Sequence, residues 1–261
     1  MSQSGAATRP PISRPLSFTG AVAAALALTG LGAGAPAAAQ QIPPGFNGQP
    51  NDMRIGPSTR YATPDSRVRF TFDRSGRTAL LQFEGESEVH VLRSVGASGG
   101  GELYRDEADQ IRLRITPNGG VTIYTRLHRN GEAAGAEGAA PRLAPAALEV
   151  AQYQRRMAQL SAIAAQRLGR PITITAPREA RGAEAGLIID AAERAIAGLE
   201  RAPPGVARIT IQRAAEAQAL RRGDELAIGV NPAHGYAGRP STHTISNALA
   251  DGLLSENRRL D

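Results

Sequence analysis

The densest group of polar side chains in the sequence lies between residues 231 and 243, in the stretch NPAHGYAGRPSTH. Five of its side chains have functional groups that bind ligands in other proteins: His234, Tyr236, Arg239, Ser241 and His243. The stretch joins a predicted strand to the predicted first turn of a helix, where free backbone N–H groups favour an anion. A guanidinium adds a bidentate partner for a carboxylate or phosphate. The stretch therefore predicts a site for a small anionic ligand.

A structural loop is the alternative for the same stretch. Proline and glycine would shape the turn, and Ser241 would cap the following helix. Arg239 would then pack on Tyr236 or bridge to a carboxylate instead of binding a ligand. The two interpretations differ in one property, the exposure of Arg239.

A hydrolase site is the rival prediction for the C-terminal half. His234 or His243 could act with Ser241 or Asp251 on an ester or a polymer of the cell envelope. No convergent set of nucleophile and base is recognisable in the sequence, so we predict no catalytic residues. A non-catalytic protein that binds a ligand or partner, or has a structural role, is the leading expectation.

Other motifs match the letters of known sites without their context. Residues 96–100 read G-A-S-G-G, but a strand is predicted after Ser98, whereas a nucleophile elbow needs a helix there. The four histidines lie on different elements, and Asp106, Glu107 and Asp109 lack the spacing of an EF-hand. We predict a hairpin loop at Ser98, a solvated turn at residues 106–109, and no metal site.

Composition excludes several chemistries. All 30 cationic residues are arginine, and the chain contains no cysteine. P-loop and Schiff-base lysines, thiol nucleophiles and cysteine-ligated metals are therefore excluded. Aromatic residues make up 4% of the chain, and the arginines are dispersed, so neither a stacking platform nor a basic patch for nucleic acid is indicated. We predict no cofactor and no nucleic-acid partner.

The N-terminal residues have the pattern of an export signal. Arg9 and Arg14 precede an apolar stretch over residues 16–35, and Ala37 and Ala39 then match the small-residue positions of a signal peptidase site. This predicts Sec-type export, cleavage before Gln40 and a periplasmic location without a stable membrane anchor. An uncleaved anchor is the alternative, although its glycines and proline are poorly suited to one.

Patterning divides the remaining chain into an α+β protein with two parts. Residues 40–63 are rich in Pro and Gly and are predicted to be disordered. Residues 64–129 alternate with period two and contain turn signals, which predicts an antiparallel meander or small barrel of about five or six strands. Residues 130–145 are rich in Gly and Ala and are predicted to be a linker, and residues 146–261 are predicted to form an α+β unit.

Three short stretches carry a resemblance to a known family. They are residues 104–106, residues 118–122 and residues 235–241. With them, the chain resembles a family of uncharacterised exported alphaproteobacterial proteins, a domain of unknown function, over most of residues 60–255. The resemblance implies export and a mature chain in two parts, and it transfers no active site.

Overall fold

A closed barrel of eight antiparallel strands forms the first part of the molecule. The computed structural model describes residues 57–202 and 204–257. The strands are β1 (Ser58–Ala62), β2 (Arg69–Asp73), β3 (Ala79–Phe83), β4 (Val89–Gly96), β5 (Glu102–Arg105), β6 (Ile111–Ile115), β7 (Val121–Ile123) and β8 (Glu132–Ala139). Each strand pairs with the next, and β8 pairs back onto β1. The predicted α+β class and the antiparallel β unit are confirmed, with the barrel as the form adopted.

Large side chains fill the inside of the barrel. Alternate residues of the strands point inward, and the ring of Tyr61 stacks on Phe70 at a centroid distance of 5.3 Å. Phe72 meets Tyr104 edge to face at 4.9 Å. The inward-facing set is Tyr61, Val68, Phe70, Phe72, Leu81, Leu92, Tyr104, Leu113, Ile115, Val121 and Ile123. A small barrel filled in this way has a hydrophobic core inside it, with its polar side chains on the outer face and at the ends.

Two predicted segment boundaries differ from the structure. Ser58–Ala62, expected to belong to a disordered segment, is β1, and Tyr61 is fully buried in the barrel. Glu132–Ala139, expected to belong to a linker, is β8. Its alanines and glycines show no apolar alternation, yet closing the barrel requires a backbone that pairs with both β7 and β1. Hydrogen bonds to neighbouring strands are therefore the main determinant of this strand, and its side chains add only the contacts of Ala134 and Ala136 with the barrel core.

Every second loop lies at the same end of the barrel, because neighbouring strands are antiparallel. We call this end the mouth. It is formed by the loops after β1, β3, β5 and β7, which are residues 63–68, 84–88, 106–110 and 124–131. Its loops carry several of the ionisable side chains discussed below, among them Glu86, Glu88 and Arg126.

Three helices and a four-stranded sheet form the second part. Its elements are α1 (Val150–Leu168), β9 (Thr173–Thr175), α2 (Gly182–Leu199), β10 (Arg208–Arg213), β11 (Gln218–Arg222), β12 (Glu225–Val230), a 3-10 segment (Pro232–Gly238) and α3 (Thr242–Asn257). The strand order is β11-β12-β10-β9, with β10 parallel to both of its neighbours and β11 antiparallel to β12. The first helix ends at Gly169, whose φ of 64° is the left-handed conformation typical of a C-cap.

The helix α2 is the centre of the second core. Its apolar residues are buried between α1, α3 and the sheet, with Leu187, Ile188 and Ile196 almost fully enclosed. At Gly186 an added Cβ would lie 2.7 Å from the backbone nitrogen of Ala146 and closer still to its carbonyl oxygen. Glycine is therefore required for the chain before α1 to lie against α2.

The connection between the two parts is held by hydrogen bonds. The backbone N–H of Leu143 donates to the buried carboxylate of Asp73 over 2.7 Å, and Ser58 Oγ donates to the carbonyl of Pro141. Leu148 and Gly182 exchange backbone hydrogen bonds. Both parts belong to one compact unit, although each has its own hydrophobic cluster.

The predicted leader and cleavage site, with Ala37, Ala39 and Gln40, lie outside the described residues. Within residues 57–202 and 204–257, none of the helices combines the length and the hydropathy needed to cross a bilayer.

Candidate functional site

Arg239 is buried and not available to a ligand from solvent. Its side chain has an exposed fraction of 0%, and its Nε donates to the carboxylate of Asp190 on α2. Its Nη2 donates over 2.9 Å to the carbonyl of Val89 at the start of β4. The guanidinium also lies 5.5 Å from the ring centroid of Tyr236. Of the two interpretations of this residue, the structural one agrees with these contacts.

A second arginine, Arg194 on α2, extends the same buried network. Arg194 is one turn after Asp190, with Nε 3.9 Å from its Oδ1, and Nη1 lies 3.4 Å from Glu88 Oε2. Its Nη2 donates to Ser87 Oγ over 2.6 Å. Burial raises the pKa of Asp190, and the charges of Arg239 and Arg194 oppose that rise. Residues of the β3–β4 loop, α2 and the loop before α3 thus meet in one network of charges.

Carboxylates of the protein itself occupy the N-terminus of α3. The backbone N–H of Thr242 donates to Glu88 Oε1 over 3.1 Å, and Ser241 Oγ donates to Glu107 Oε2 over 2.5 Å. Ser241 also caps the helix as predicted, accepting from the N–H of Thr244. Burial alone would raise the pKa of Glu88, but the Thr242 hydrogen bond and the Arg194 charge outweigh it and lower that pKa. The anion expected at this helix end is therefore supplied from the barrel.

The remaining residues of the predicted loop do not converge. His234 is exposed on the 3-10 segment, and the Nε2 of His243 lies 3.1 Å from the amide nitrogen of Asn247 on the outside of α3. Tyr236 donates its hydroxyl to the carbonyl of Ala144 over 3.3 Å. The hydroxyl of Ser241 is bound to Glu107 and Thr244. No contact within residues 57–202 and 204–257 joins it to an imidazole.

The two weaker motifs have structural roles. Ser98 is exposed in the β4–β5 hairpin loop, and a strand follows it, as predicted. Asp106 accepts from two backbone N–H groups of its turn and pairs with Arg112 at 2.6 Å, whereas Asp109 pairs with Arg93 and Arg105. In the described part of the chain, no three histidine or acidic side chains are grouped so that they could hold a metal ion.

A polar cleft lies at the mouth of the barrel, where the second part reaches over it. It has a volume of about 470 Å³ and continues into a cleft of about 350 Å³ beside the start of α3. We call the two together the mouth cleft. Both volumes are in the range of small-molecule sites. Five residues line both: Glu88, His90, Arg112, Arg126 and Arg201.

Most of the charged groups in the mouth cleft already have partners. Arg112 pairs with Asp106, and Glu88 pairs with Arg194. Arg126 and Arg201 are different: each guanidinium is exposed, and neither makes an ion pair or side-chain hydrogen bond to the described residues. They are therefore the cations of the cleft that remain available to an incoming anion.

His90 lines both parts of the mouth cleft. Its ring meets Phe83 edge to face at 5.8 Å, and its Nε2 lies 3.7 Å from Glu86 Oε2. Burial, the largest cause, lowers the pKa of His90 below its usual value, although Glu88 and Glu86 act in the opposite direction. The imidazole is therefore uncharged at neutral pH.

Of the predicted site residues, Ser241 and His243 line the mouth cleft, and sequence reasoning missed its other residues. Arg126 and Arg201 stand in different parts of the chain, and no local motif marks either of them. The one available signal is topological. In an antiparallel meander the loops after the first, third, fifth and seventh strands share one end, so Glu86 and Arg126 could have been placed together.

These features define a class of protein: an α+β molecule in which an eight-stranded antiparallel barrel is joined, at one mouth, to a unit of three helices and four strands. Residues 46–249 match the family model described as Domain of unknown function (DUF4908), and the chain belongs to that family. The resemblance to a domain of unknown function is thereby confirmed. No curated protein and no solved structure matches the chain.

Proposed function

We propose that this chain is an exported, non-catalytic binding protein of the periplasm, and that it holds a small anionic ligand in the mouth cleft. The observation that carries the proposal is the pair Arg126 and Arg201. Their guanidinium groups line a cleft of small-molecule size without an acidic partner among the described residues. Guanidinium groups bind carboxylates and phosphates with paired hydrogen bonds.

The position of the cleft supports binding. One wall comes from the barrel and one from the end of α2, where Arg201 follows the last helical residues. The backbone of both walls is held by the network around Asp190 and Arg239, which joins α2 to the start of β4, so the cleft itself is formed before a ligand arrives. A preformed site loses less entropy on binding than a flexible one.

Export is supported by the leader pattern over residues 1–39, with Ala37 and Ala39 before Gln40. The hydrolase alternative is not favoured by a contact of the described residues, because Ser241 is bound to Glu107 and His243 to Asn247. We therefore retain binding as the proposed function.

Isothermal titration with inorganic phosphate and with succinate tests the proposal. The purified chain should bind at least one of the two, and Arg126→Ala with Arg201→Ala should weaken binding by about tenfold or more, the value of one or more charge-assisted hydrogen bonds. Arg222→Ala is the matched control, an exposed arginine on the edge strand β11. Equal binding by the double variant and the control would contradict the assigned site. Absence of binding to both anions would contradict a ligand that is recognised by its anionic group alone.

A further inference from the structure

The mouth cleft has an acidic and an apolar side as well as its two arginines. Glu86 projects from the β3–β4 loop with an exposed side-chain fraction of 57%. Its nearest partner in charge is His90, and that imidazole is neutral because burial lowers its pKa. The carboxylate of Glu86 is therefore not neutralised by a cation of the described residues.

The apolar side is formed by barrel residues and by one exposed leucine. Val68 and Phe83 line the same cleft at the open end of the barrel core. Leu127 joins them from the β7–β8 loop, and it is 72% exposed, the most exposed of the large apolar side chains of the described residues. An apolar group in the cleft would bury surface mainly of Leu127 and Phe83, because Val68 is only 7% exposed.

The two arginines, the acid and the apolar side chains together restrict the ligand to a narrower chemical class than the arginines do alone. We propose that the ligand of the mouth cleft is an amino-acid-like zwitterion with an apolar side chain. Its carboxylate is held by Arg126 and Arg201, its ammonium group by Glu86, and its apolar part by Phe83, Val68 and Leu127. The inference rests on the proposed function, since it names the chemical class of ligand for the same cleft.

Other acids of the cleft are less suited to the ammonium group. Glu84 lies 4.0 Å from Arg69, Asp106 pairs with Arg112, and Glu107 accepts from the hydroxyls at the start of α3. Glu88 is held by Arg194 and by the N–H of Thr242. Glu107 has no cationic partner either, but two hydroxyls donate to its carboxylate, so Glu86 alone among these acids has neither a cation nor a hydroxyl as partner within the described residues.

Three related probes test the contribution of each charged group of the ligand separately. Leucine carries both charges, N-acetyl-leucine carries only the carboxylate, and leucinamide carries only the ammonium group. Titration of the purified chain should give an affinity for leucine at least about tenfold higher than for either of the others, because each lacks one charge-assisted contact. The Arg126→Ala and Arg201→Ala variants should lose affinity for leucine and N-acetyl-leucine.

Glu86→Gln distinguishes this inference from the proposed function. It should weaken leucine binding by about tenfold and leave N-acetyl-leucine binding unchanged. Glu216→Gln, at an exposed acid outside the cleft, is the control. If leucine and N-acetyl-leucine bind equally and Glu86→Gln changes neither, the zwitterion is excluded while the anion site stands. If neither these probes nor phosphate and succinate bind, both proposals are overturned.

Discussion

Replacing Arg239 by methionine should destabilise the protein strongly. The substitution keeps an unbranched side chain of similar length but removes the charge that faces Asp190, a residue whose side chain is only 11% exposed. The carboxylate would then retain Arg194 Nε at 3.9 Å as its nearest cation. Removing one partner of a buried pair costs about 3–5 kcal/mol, because the other charge remains without water or a partner. The carbonyl of Val89 loses a donor as well.

The free energy of unfolding in urea measures this effect. For a chain of this length, about 3–5 kcal/mol corresponds to a decrease in melting temperature of about 6–20 °C. Arg208→Met is the matched control. Arg208 also pairs with an aspartate, Asp224, at 3.0 Å, but their side chains are 58% and 55% exposed. A surface pair of this kind contributes less than about 1 kcal/mol.

A double variant tests the cause of the effect. Arg239→Met combined with Asp190→Leu removes both charges and replaces them with apolar groups, so it should recover most of the stability lost in the single variant. The reasoning is refuted if Arg239→Met costs no more than Arg208→Met. It is also refuted if the double variant is as unstable as the sum of the single ones.

Three further predictions concern other parts of the chain. Gly186→Ala should destabilise by about 1–3 kcal/mol in urea, because the added methyl group meets the backbone of the opposite segment, whereas Gly96→Ala, with open space around it, should not. Because the pKa of His90 is lowered in the folded protein, the unfolded state takes up a proton at a higher pH than the folded state does. The free energy of unfolding should therefore decrease as the pH falls below about 6.5. His90→Gln should remove this pH dependence, and His243→Gln should leave it in place. The chain recovered from the periplasm should have the intact mass of a protein that begins at Gln40. A full-length chain held in the membrane would contradict export.

Regular elements with a strong side-chain pattern could be predicted from the sequence. The helix α1 has a clear apolar period in the sequence and ends at Gly169, and residues 117–120 have the composition of a hairpin turn, where Gly119 has a positive φ of 80°. The strands β8 and β11 were not predicted. The strand β8 consists of small or polar residues, and β11 has Leu220 as its one large apolar side chain. Each is a strand because a neighbouring strand offers its backbone hydrogen bonds. That kind of stabilisation leaves no period in the sequence.

The candidate site was also predictable only in part. The sequence placed a capped helix start after residue 240, and Ser241 does cap α3. It could not show that Glu88 and Glu107, more than 130 residues earlier, fill the anion position at that helix end. Most of the mouth cleft could not be predicted for a related reason, since its lining comes from four separate loops, the end of α2 and the start of α3.

The sequence by itself determined the α+β class, the family and the residue types available for chemistry, because composition, periodicity and turn residues are local properties of the chain. Only the tertiary structure decided what Arg239 does. Its partner Asp190 is 49 residues away, and the side chain became buried when the barrel and the second part came together. A buried charge is stable only with an oppositely charged partner, and the identity of that partner depends on how distant segments of the chain pack together.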